Sequence, residues 1–549
     1  MKYKILSKTK ITEKFTTEKL IDLLLKNRGI QTKKEKELFL NPKLSDVTIQ
    51  SVGIDIKEVE KAKKRINAAI KNKEAIVVFG DYDVDGICGT AILWETLNMA
   101  GANVLPYIPH RVDEGYGLSI KGISNVKSQM PKVKLIITVD NGVVANKAVE
   151  FAKAQGIEVI ITDHHTFGKV HPKSFAIIHT KRLCGASVAW LFSKAMGSKD
   201  QSHIELCAIA TIADLVPLVG LNRTVAKLGI EKLKTTKRIG ILELVEEAAL
   251  DLSKITSFEI GHIIAPRINA MGRIEYAMDS LRLLCTKNKA RAKELSKAIS
   301  ETNRKRQTLT LETTTEIIGK VKKAIGNKKL VFVSDEKYNQ GIIGLVAGKL
   351  VEEFYLPSIV VSKGETVCKA SARSIKGFNI VDFIRCSSDL LVDVGGHPMA
   401  AGFTVETNKL LLLQSKLEKL AQKMVLPNLL KKEIIVDCEI PLTLIDLKFV
   451  KELEKLAPFG PSNTTPTFLT KGLTVEDIKL VGVDKRHLRL VLIDQKTGTR
   501  SYSIGFGLSE KAKNIRIGDK VNVIYTLSVD EWNGNQRIQM KIKDLFKST

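Results

Sequence analysis

Apolar positions along the chain follow two rhythms. Short β-branched runs that stop abruptly at acidic or glycine residues alternate with longer stretches in which an apolar residue recurs every third or fourth position. AIVVFGD, LIITVDNG and EVIITDHH read as strands, and VEKAKKRINAAIKNK, just before the first of them, reads as an amphipathic helix. This alternation predicts an α/β fold built on a doubly wound, mostly parallel sheet, in which ligands lie beyond the carboxyl ends of the strands. A fourth run, ELCAIATIAD, ends at Asp214 and fits either a strand or a buried helix, because periodicity alone does not separate the two.

The same patterning divides the chain into five segments. Residues 1–54 form a helical preface in which LIDLLLKNRG stops at Gly29 and EKELFLNP at Pro42, and it is expected to pack on the domain that follows. Residues 55–286 hold the α/β domain, and the proline-free, highly charged stretch 287–326 predicts a long connecting helix. Its Arg304, Lys305 and Arg306 can face a nucleic acid, although solvated charge is the commoner explanation for such runs. A second α/β domain spans 327–427, from KLVFVSD to VGGHPMAAGF. From 428 to 549 short strands such as LRLVLID and KVNVIYTLSVD alternate without long helices, which predicts a small OB-like β-barrel with a hairpin tip at Trp532, Asn533 and Gly534. Such barrels hold single strands by stacking bases on aromatic rings, making Trp532 a candidate, and Tyr525 one that fits core packing equally well.

Composition narrows the class. At 549 residues, 44% hydrophobic and 27% charged, the chain is a multidomain globular protein. No run approaches the ~18 apolar residues of a membrane span, and the basic start MKYKILSKTK lacks a secretory leader, so a cytoplasmic location is expected, with no membrane partner. Seven cysteines without a CxxC pair argue against a disulfide framework or a zinc ribbon. Lys and Arg number 86 against 60 Asp and Glu, and a formal charge of +26 attracts polyanions, nucleic acid first among them. A lysine-rich composition bias would give the same charge without a binding face.

The strand ends carry the chemistry. Asp81, Asp83 and Asp85 follow AIVVFG in steps of two, Asp140 ends the second strand, Asp163, His164 and His165 the third, and Asp214 the fourth run. Singly, each is an ordinary turn or helix cap. Together they crowd carboxylates that repel one another unless divalent cations lie between them. Mixed carboxylate and imidazole ligands suit manganese, and magnesium less well, while the lack of thiolates argues against zinc or iron–sulfur sites. Two such ions ~4 Å apart clamp an in-line displacement at phosphorus, so the predicted reaction is phosphoester hydrolysis.

DYDVDG, VDNG, ITDHH and IADLVP, in this order, resemble the DHH phosphoesterases. RVDEGYGLS, PRINAMGR, GIIGLVAGKL, SARS, VGGHPMAAG and EWNGNQRIQMKIKDL extend the likeness, over nearly the whole chain, to the RecJ group of single-strand-specific exonucleases. The resemblance implies a metal-dependent 5′-to-3′ exonuclease that degrades single-stranded DNA to 5′ mononucleotides in DNA repair and recombination, with two divalent cations, manganese or magnesium. It places Asp81, Asp83, Asp85, Asp140, His164 and Asp214 as metal ligands, with His165 beside them, and gives Asp163 the task of orienting the histidines. Arg111, Tyr116 and Arg273 fall where such enzymes meet the nucleic acid or its 5′ end, and Ser371, Arg373 and His397, in a DHHA1-like second domain, become phosphate-binding candidates. It further implies a monomer served by a helicase and a single-strand-binding protein. Tyr338-Asn339 stands where the group has Trp-His, and the segment after His165, with AIIHTKR, is shortened. Two other functions compete: a DHH phosphodiesterase for short oligoribonucleotides or cyclic dinucleotides, which needs no barrel, and an inactive strand-binding relative, which would have lost metal aspartates where this chain keeps them all.

Overall fold

The computed structural model of the protein describes residues 2–532 and 535–548, without the side chains of 531, 532 and 535. The chain forms two compact units, one of residues 44–216 with 225–432, the other of residues 1–43, 217–224 and 433–549.

In the first unit, five parallel strands lie in the order Asn103–Tyr107, Ala75–Phe79, Val133–Val139, Glu158–Asp163 and Ala176–His179. Ala75–Phe79 is buried along its whole length, as a strand covered on both faces must be, and this is why its sequence runs apolar without alternation. One of the covering elements is the helix Val84–Met99, which is itself apolar nearly all round because it packs against the helices Gly185–Ala195 and His203–Ala213. The last of these is the ambiguous fourth run. It is a helix, with Ile204, Leu206, Cys207, Ile209 and Ile212 all buried, and Asp214 is its C-cap residue. Burial between helices erased the periodicity that would have marked it.

The connecting segment is a single 36-residue helix, Lys289–Ala324. Its first half buries Ala292, Leu295 and Ile299, and its second half sets Ile317 and Val321 into a cluster with Val346 and Leu350 of the helix Ile343–Phe354. The second domain is α/β with a mixed sheet in the order Leu391–His397, Ala400–Glu406, Val367–Arg373, Ser358–Ser362 and Val331–Asp335. Only the last two strands pair in parallel.

In the other unit, Phe468–Val481, His487–Ile493, Arg500–Gly505, Asn535–Lys547 and Lys520–Trp532 pair in that order, and the last returns to the first to close a five-stranded barrel. Residues 1–43, expected to pack on the domain that follows them, cluster with this barrel instead. Leu20, Leu24 and Leu25 of the helix Thr17–Asn27 share one core with Phe449, Phe468, Leu490 and Tyr525. Arg28 pairs with Asp437 at 3.2 Å, both side chains nearly inaccessible. Arg223 donates to the carbonyls of Phe39 (3.0 Å), Leu456 (2.9 Å) and Lys455 (3.2 Å), with its guanidinium 3.7 Å over the Phe39 ring. Tyr525 is fully buried with its hydroxyl 2.7 Å from Thr470 Oγ1, so it belongs to the core and not to a stacking surface. The proposed tip falls outside the described residues, as does the Trp532 side chain. Among the described residues no helix is long and apolar enough to cross a membrane.

Candidate metal centre

The strand Ala75–Phe79 releases the chain at Gly80 into Asp81, Tyr82 and Asp83, and the helix Val84–Met99 begins at once. Asp83 caps that helix, its Oδ1 accepting from the backbone N–H of Asp85 (3.0 Å) and Gly86 (3.1 Å). Across the site, Asn269 Oδ1 accepts from Val84 N–H at 3.1 Å, tying the same turn to the PRINAMGR helix. Asp85 lies on the first turn, buried, and accepts from Gly185 N–H (2.6 Å) and Ala186 N–H (2.7 Å) at the start of the helix Gly185–Ala195. Two aligned amides and the positive end of that helix hold its charge in place. Asp81 is fully buried, and neither carboxylate oxygen has a hydrogen-bond partner.

Asp140 follows Val133–Val139 with φ +61°, a left-handed conformation that aspartate tolerates better than most residues. Its N–H stays in register with Thr162 O at 2.9 Å, and the turn aims the carboxylate at the imidazoles. His164 Nε2 lies 3.1 Å from Asp140 Oδ1, 3.6 Å from Asp85 Oδ2 and 3.7 Å from Asp214 Oδ2, so one nitrogen sits among carboxylates from a strand end, the first turn of a helix and a helix C-cap. Asp163 is not among the carboxylates around this nitrogen. It accepts from the N–H groups of Val143 (3.0 Å), His164 (2.7 Å) and His165 (3.1 Å) and from His165 Nδ1 (2.8 Å), so it braces the turn and orients the second imidazole.

Three sets of ligand atoms each fall within 4.8 Å: Asp81, Asp83 and Asp140; Asp85, His164 and Asp214; and Asp140, His164 and His165. Asp140 and His164 each belong to two sets, the pattern of two adjacent ion positions that share ligands. Burial, followed by mutual repulsion, pushes the carboxyls of Asp81, Asp83 and Asp140 upward and that of Asp214 to about 8. Burial pushes His164 down. For His165 burial acts in the same direction but is outweighed by the hydrogen bond and charge of Asp163, which raise it to about 9. These are the strains of a site that wants positive charge, and the buried, unpartnered oxygens of Asp81 fit a divalent cation. A further set, Glu95, Asp200 and His203, differs: Arg238 already neutralises Glu95 through bonds of 2.6 and 3.0 Å.

The phosphate-binding candidates converge on the same place. Tyr116 OH donates to Asp140 O at 3.1 Å and lies 3.2 Å from His165 Nε2, and the Arg111 guanidinium stacks over the Tyr82 ring at 4.9 Å. Arg273 bonds Gly341 O of the second domain at 3.2 Å. Burial, and then the neighbouring Arg111, Arg373 and Arg306, lower it to about 9, a gathering of cations that an anion would relieve. Arg373 Nη1 donates to Ser371 Oγ at 3.1 Å. His397 stacks on His165 with ring centroids 6.2 Å apart, bringing the second domain's glycine-rich hairpin to the metal centre. By contrast, Arg304 and Lys305 of the long helix face Glu247 and Glu275. The substitution at Tyr338-Asn339 is absorbed locally, since Tyr338 is core and Asn339 accepts from Gly341 N–H at 2.8 Å.

Sequence reading missed Tyr82, Asn141, Asn269 and the Gly185–Ala186 amides. Tyr82 and Asn141 sit inside quoted motifs and were hidden by their acidic neighbours. Asn269 sits inside a quoted motif too, but it and the Gly185–Ala186 amides act across long sequence separations, which no local pattern signals.

Three families match parts of the chain: the DHH family, N-terminal domain, over residues 75–218, the DHHA1 domain over 326–424, and the RecJ OB domain over 436–544. Among curated proteins, the single-stranded-DNA-specific exonuclease RecJ of Bacillus subtilis is 34% identical over 97% of this chain and 69% of its own length, and that of Thermus thermophilus 31% identical over 90% and 72%. The crystal structure of RecJ in complex with Mn2+ from Thermus thermophilus superimposes with a TM-score of 0.82 at 29% identity, covering 96% of this chain and 76% of that one. Its Mg2+ complex gives a TM-score of 0.76 at 28% identity, covering 96% and 74%. The barrel and the two α/β domains are thus those of one family, and the chain belongs to the RecJ single-stranded-DNA-specific exonucleases, hydrolases of the DHH phosphoesterase type.

Proposed function

We propose that Asp81, Asp83, Asp85, Asp140, His164 and Asp214 hold two manganese or magnesium ions, with His165 at their edge, and that hydrolysis of single-stranded DNA proceeds there from the 5′ end to release 5′ mononucleotides. The observation that carries this reading is the crowding of the buried Asp85 and Asp140 and the partly exposed Asp214 around His164, with both Asp81 oxygens unpartnered. Bound there, divalent cations supply the charge that acidifies a water and offsets the negative charge developing on the scissile phosphate. The protein's own groups do the rest. Asp163 keeps His165 turned toward the site, and Asp85, held by two helix amides, cannot rotate away. Arg111, Arg273 and Arg373, with Ser371 and His397, receive the phosphates of the strand from both domains, and Tyr116 frames the mouth at Asp140 and His165. The barrel adds sequence-tolerant affinity for longer strands. The protein works as a cytoplasmic monomer on strands presented by a helicase or a single-strand-binding protein.

Asp83→Ala or His164→Ala is expected to abolish hydrolysis while leaving strand binding nearly intact. Single-stranded DNA labelled separately at each end, incubated with manganese, magnesium or chelator, reads activity, metal dependence and direction together. Turnover by a clean preparation of either variant would sink the metal assignment, and initial loss of a 3′ label would reverse the polarity.

A further inference from the structure

The loop between the strand Asn103–Tyr107 and the helix Ile120–Gln129 carries Arg111 and Tyr116, and two of its glycines sit at positive φ, Gly115 at 83° and Gly117 at 66°. A segment of that composition is free to sample many conformations unless something holds it. Besides Tyr116, whose hydroxyl bonds Asp140 O, two side chains do so. Glu114 Oε2 accepts from Tyr107 OH at 2.7 Å, its Oε1 accepts from His110 N–H at 2.9 Å, and its own N–H donates to His110 O at 2.8 Å, closing a turn that contains Arg111. At the far end Asn141 Oδ1 accepts from Leu118 N–H at 3.1 Å, while its Nδ2 donates to Val139 O (2.8 Å) and Phe79 O (3.3 Å). Both anchors reach Phe79, the last residue of the strand that delivers Asp81, since the Tyr107 ring stacks on the Phe79 ring at 5.0 Å. Burial, then the hydrogen bond to Glu114, pushes the Tyr107 phenol up, so it stays protonated and donates to the carboxylate.

We infer that Glu114 is a positioning residue for the substrate strand: its carboxylate, clamped between the Tyr107 hydroxyl and the His110 amide, fixes the turn that holds Arg111 over Tyr82 at the mouth of the metal centre. The inference rests on the phosphate-binding role proposed for Arg111. Both carboxylate oxygens accept hydrogen bonds, and a carboxamide replaces them poorly: it keeps one acceptor for the His110 amide, but its NH2 can meet the Tyr107 oxygen only if the phenol turns its own proton away, and the charge that strengthens both bonds is lost. Gly122 leaves the space this needs, because a Cβ there would stand 2.9 Å from the Phe79 ring and 3.3 Å from Glu114 Oε2.

The test is steady-state hydrolysis of an oligothymidylate by the full-length protein with Mn2+. Losing one hydrogen bond in Tyr107→Phe is expected to raise KM about threefold, and losing the charge and one acceptor in Glu114→Gln about tenfold, with kcat within about twofold of the parent. Mn2+ affinity, read by titration calorimetry, is expected to be unchanged. Because Glu114 acts through Arg111, the double variant Arg111→Ala/Glu114→Gln is expected to match Arg111→Ala alone, which a merely structural role would not produce. If Arg111→Ala raises KM while Glu114→Gln and Tyr107→Phe do not, or if the effects of Arg111→Ala and Glu114→Gln multiply in full, the inference is overturned and the role of Arg111 stands. If Arg111→Ala leaves KM at the parent value, the proposed phosphate contact falls and the inference with it. Should Glu114→Gln not fold, Tyr107→Phe, which removes a single hydroxyl, decides alone.

Discussion

Gly86 offers a direct test of how tightly the metal loop is built. It lies in the first turn of the helix Val84–Met99, and its N–H is one of the two that Asp83 caps. A Cβ at this position would stand 2.6 Å from both the N and the O of Asp81 and 2.7 Å from its Cα, about 0.8 Å short of the 3.4 Å at which ordinary contact begins. Every one of these atoms is backbone, so no rotamer change relieves the overlap, and the Asp81 turn must move bodily. Overpacking of this kind costs about 1–3 kcal/mol, partly offset by the ~1 kcal/mol that alanine gains over glycine within a helix. Misplacing a ligand by nearly 1 Å costs on the order of a hundredfold in rate. Gly86→Ala is therefore expected to lose activity far out of proportion to stability. Release of acid-soluble nucleotide from single-stranded DNA with Mn2+ measures the first, and thermal unfolding the second. Gly348→Ala is the control, because a methyl group added at that helical glycine meets nothing within 4 Å, and the variant is expected to keep full activity with an unchanged or slightly higher Tm. Turnover of Gly86→Ala within about threefold of the parent would refute the reasoning, since a loop able to yield that far is not the rigid cradle described.

Asp163→Asn turns one of the two oxygens that share four hydrogen bonds into a donor and removes the charge beside His165, and Mn2+ affinity or kcat is expected to fall about 10- to 100-fold, as measured by calorimetry and strand hydrolysis. Arg223→Met strands three buried carbonyls and is expected to destabilise the barrel unit by roughly 3 kcal/mol in denaturant unfolding, with little change in metal affinity. Adding Mn2+ to about 100 times its Kd is expected to stabilise the protein by about 2.7 kcal/mol and to raise its Tm, because the buried carboxylates repel one another without it. An Asp81→Asn/Asp140→Asn variant is expected to lose that rise, and its persistence would place the ions elsewhere.

Much of this protein can be read residue by residue because the information is local. A β-branched run that ends in Asp-Tyr-Asp or Asp-His-His declares both a strand and the chemistry at its end, and parallel strands bring such ends together whatever the details of packing. The three strands Ala75–Phe79, Val133–Val139 and Glu158–Asp163, the long helix Lys289–Ala324 and the closing β-rich segment all followed from periodicity. What periodicity could not convey depends on partners far away in the chain. Helix His203–Ala213 is apolar on every side because neighbours surround it, so nothing in its own pattern distinguished it from a strand. The Asp85 carboxylate is held by amides a hundred residues on, and Asn269 reaches the same turn from farther still. Residues 1–43 join a barrel that begins nearly four hundred residues later, through Arg28, Arg223 and a shared apolar core. Tyr525, exposed or buried with equal ease as far as an alternating strand can say, turned inward once the barrel closed. Side-chain type states what a residue can do, and folding alone selects which distant groups it does it with.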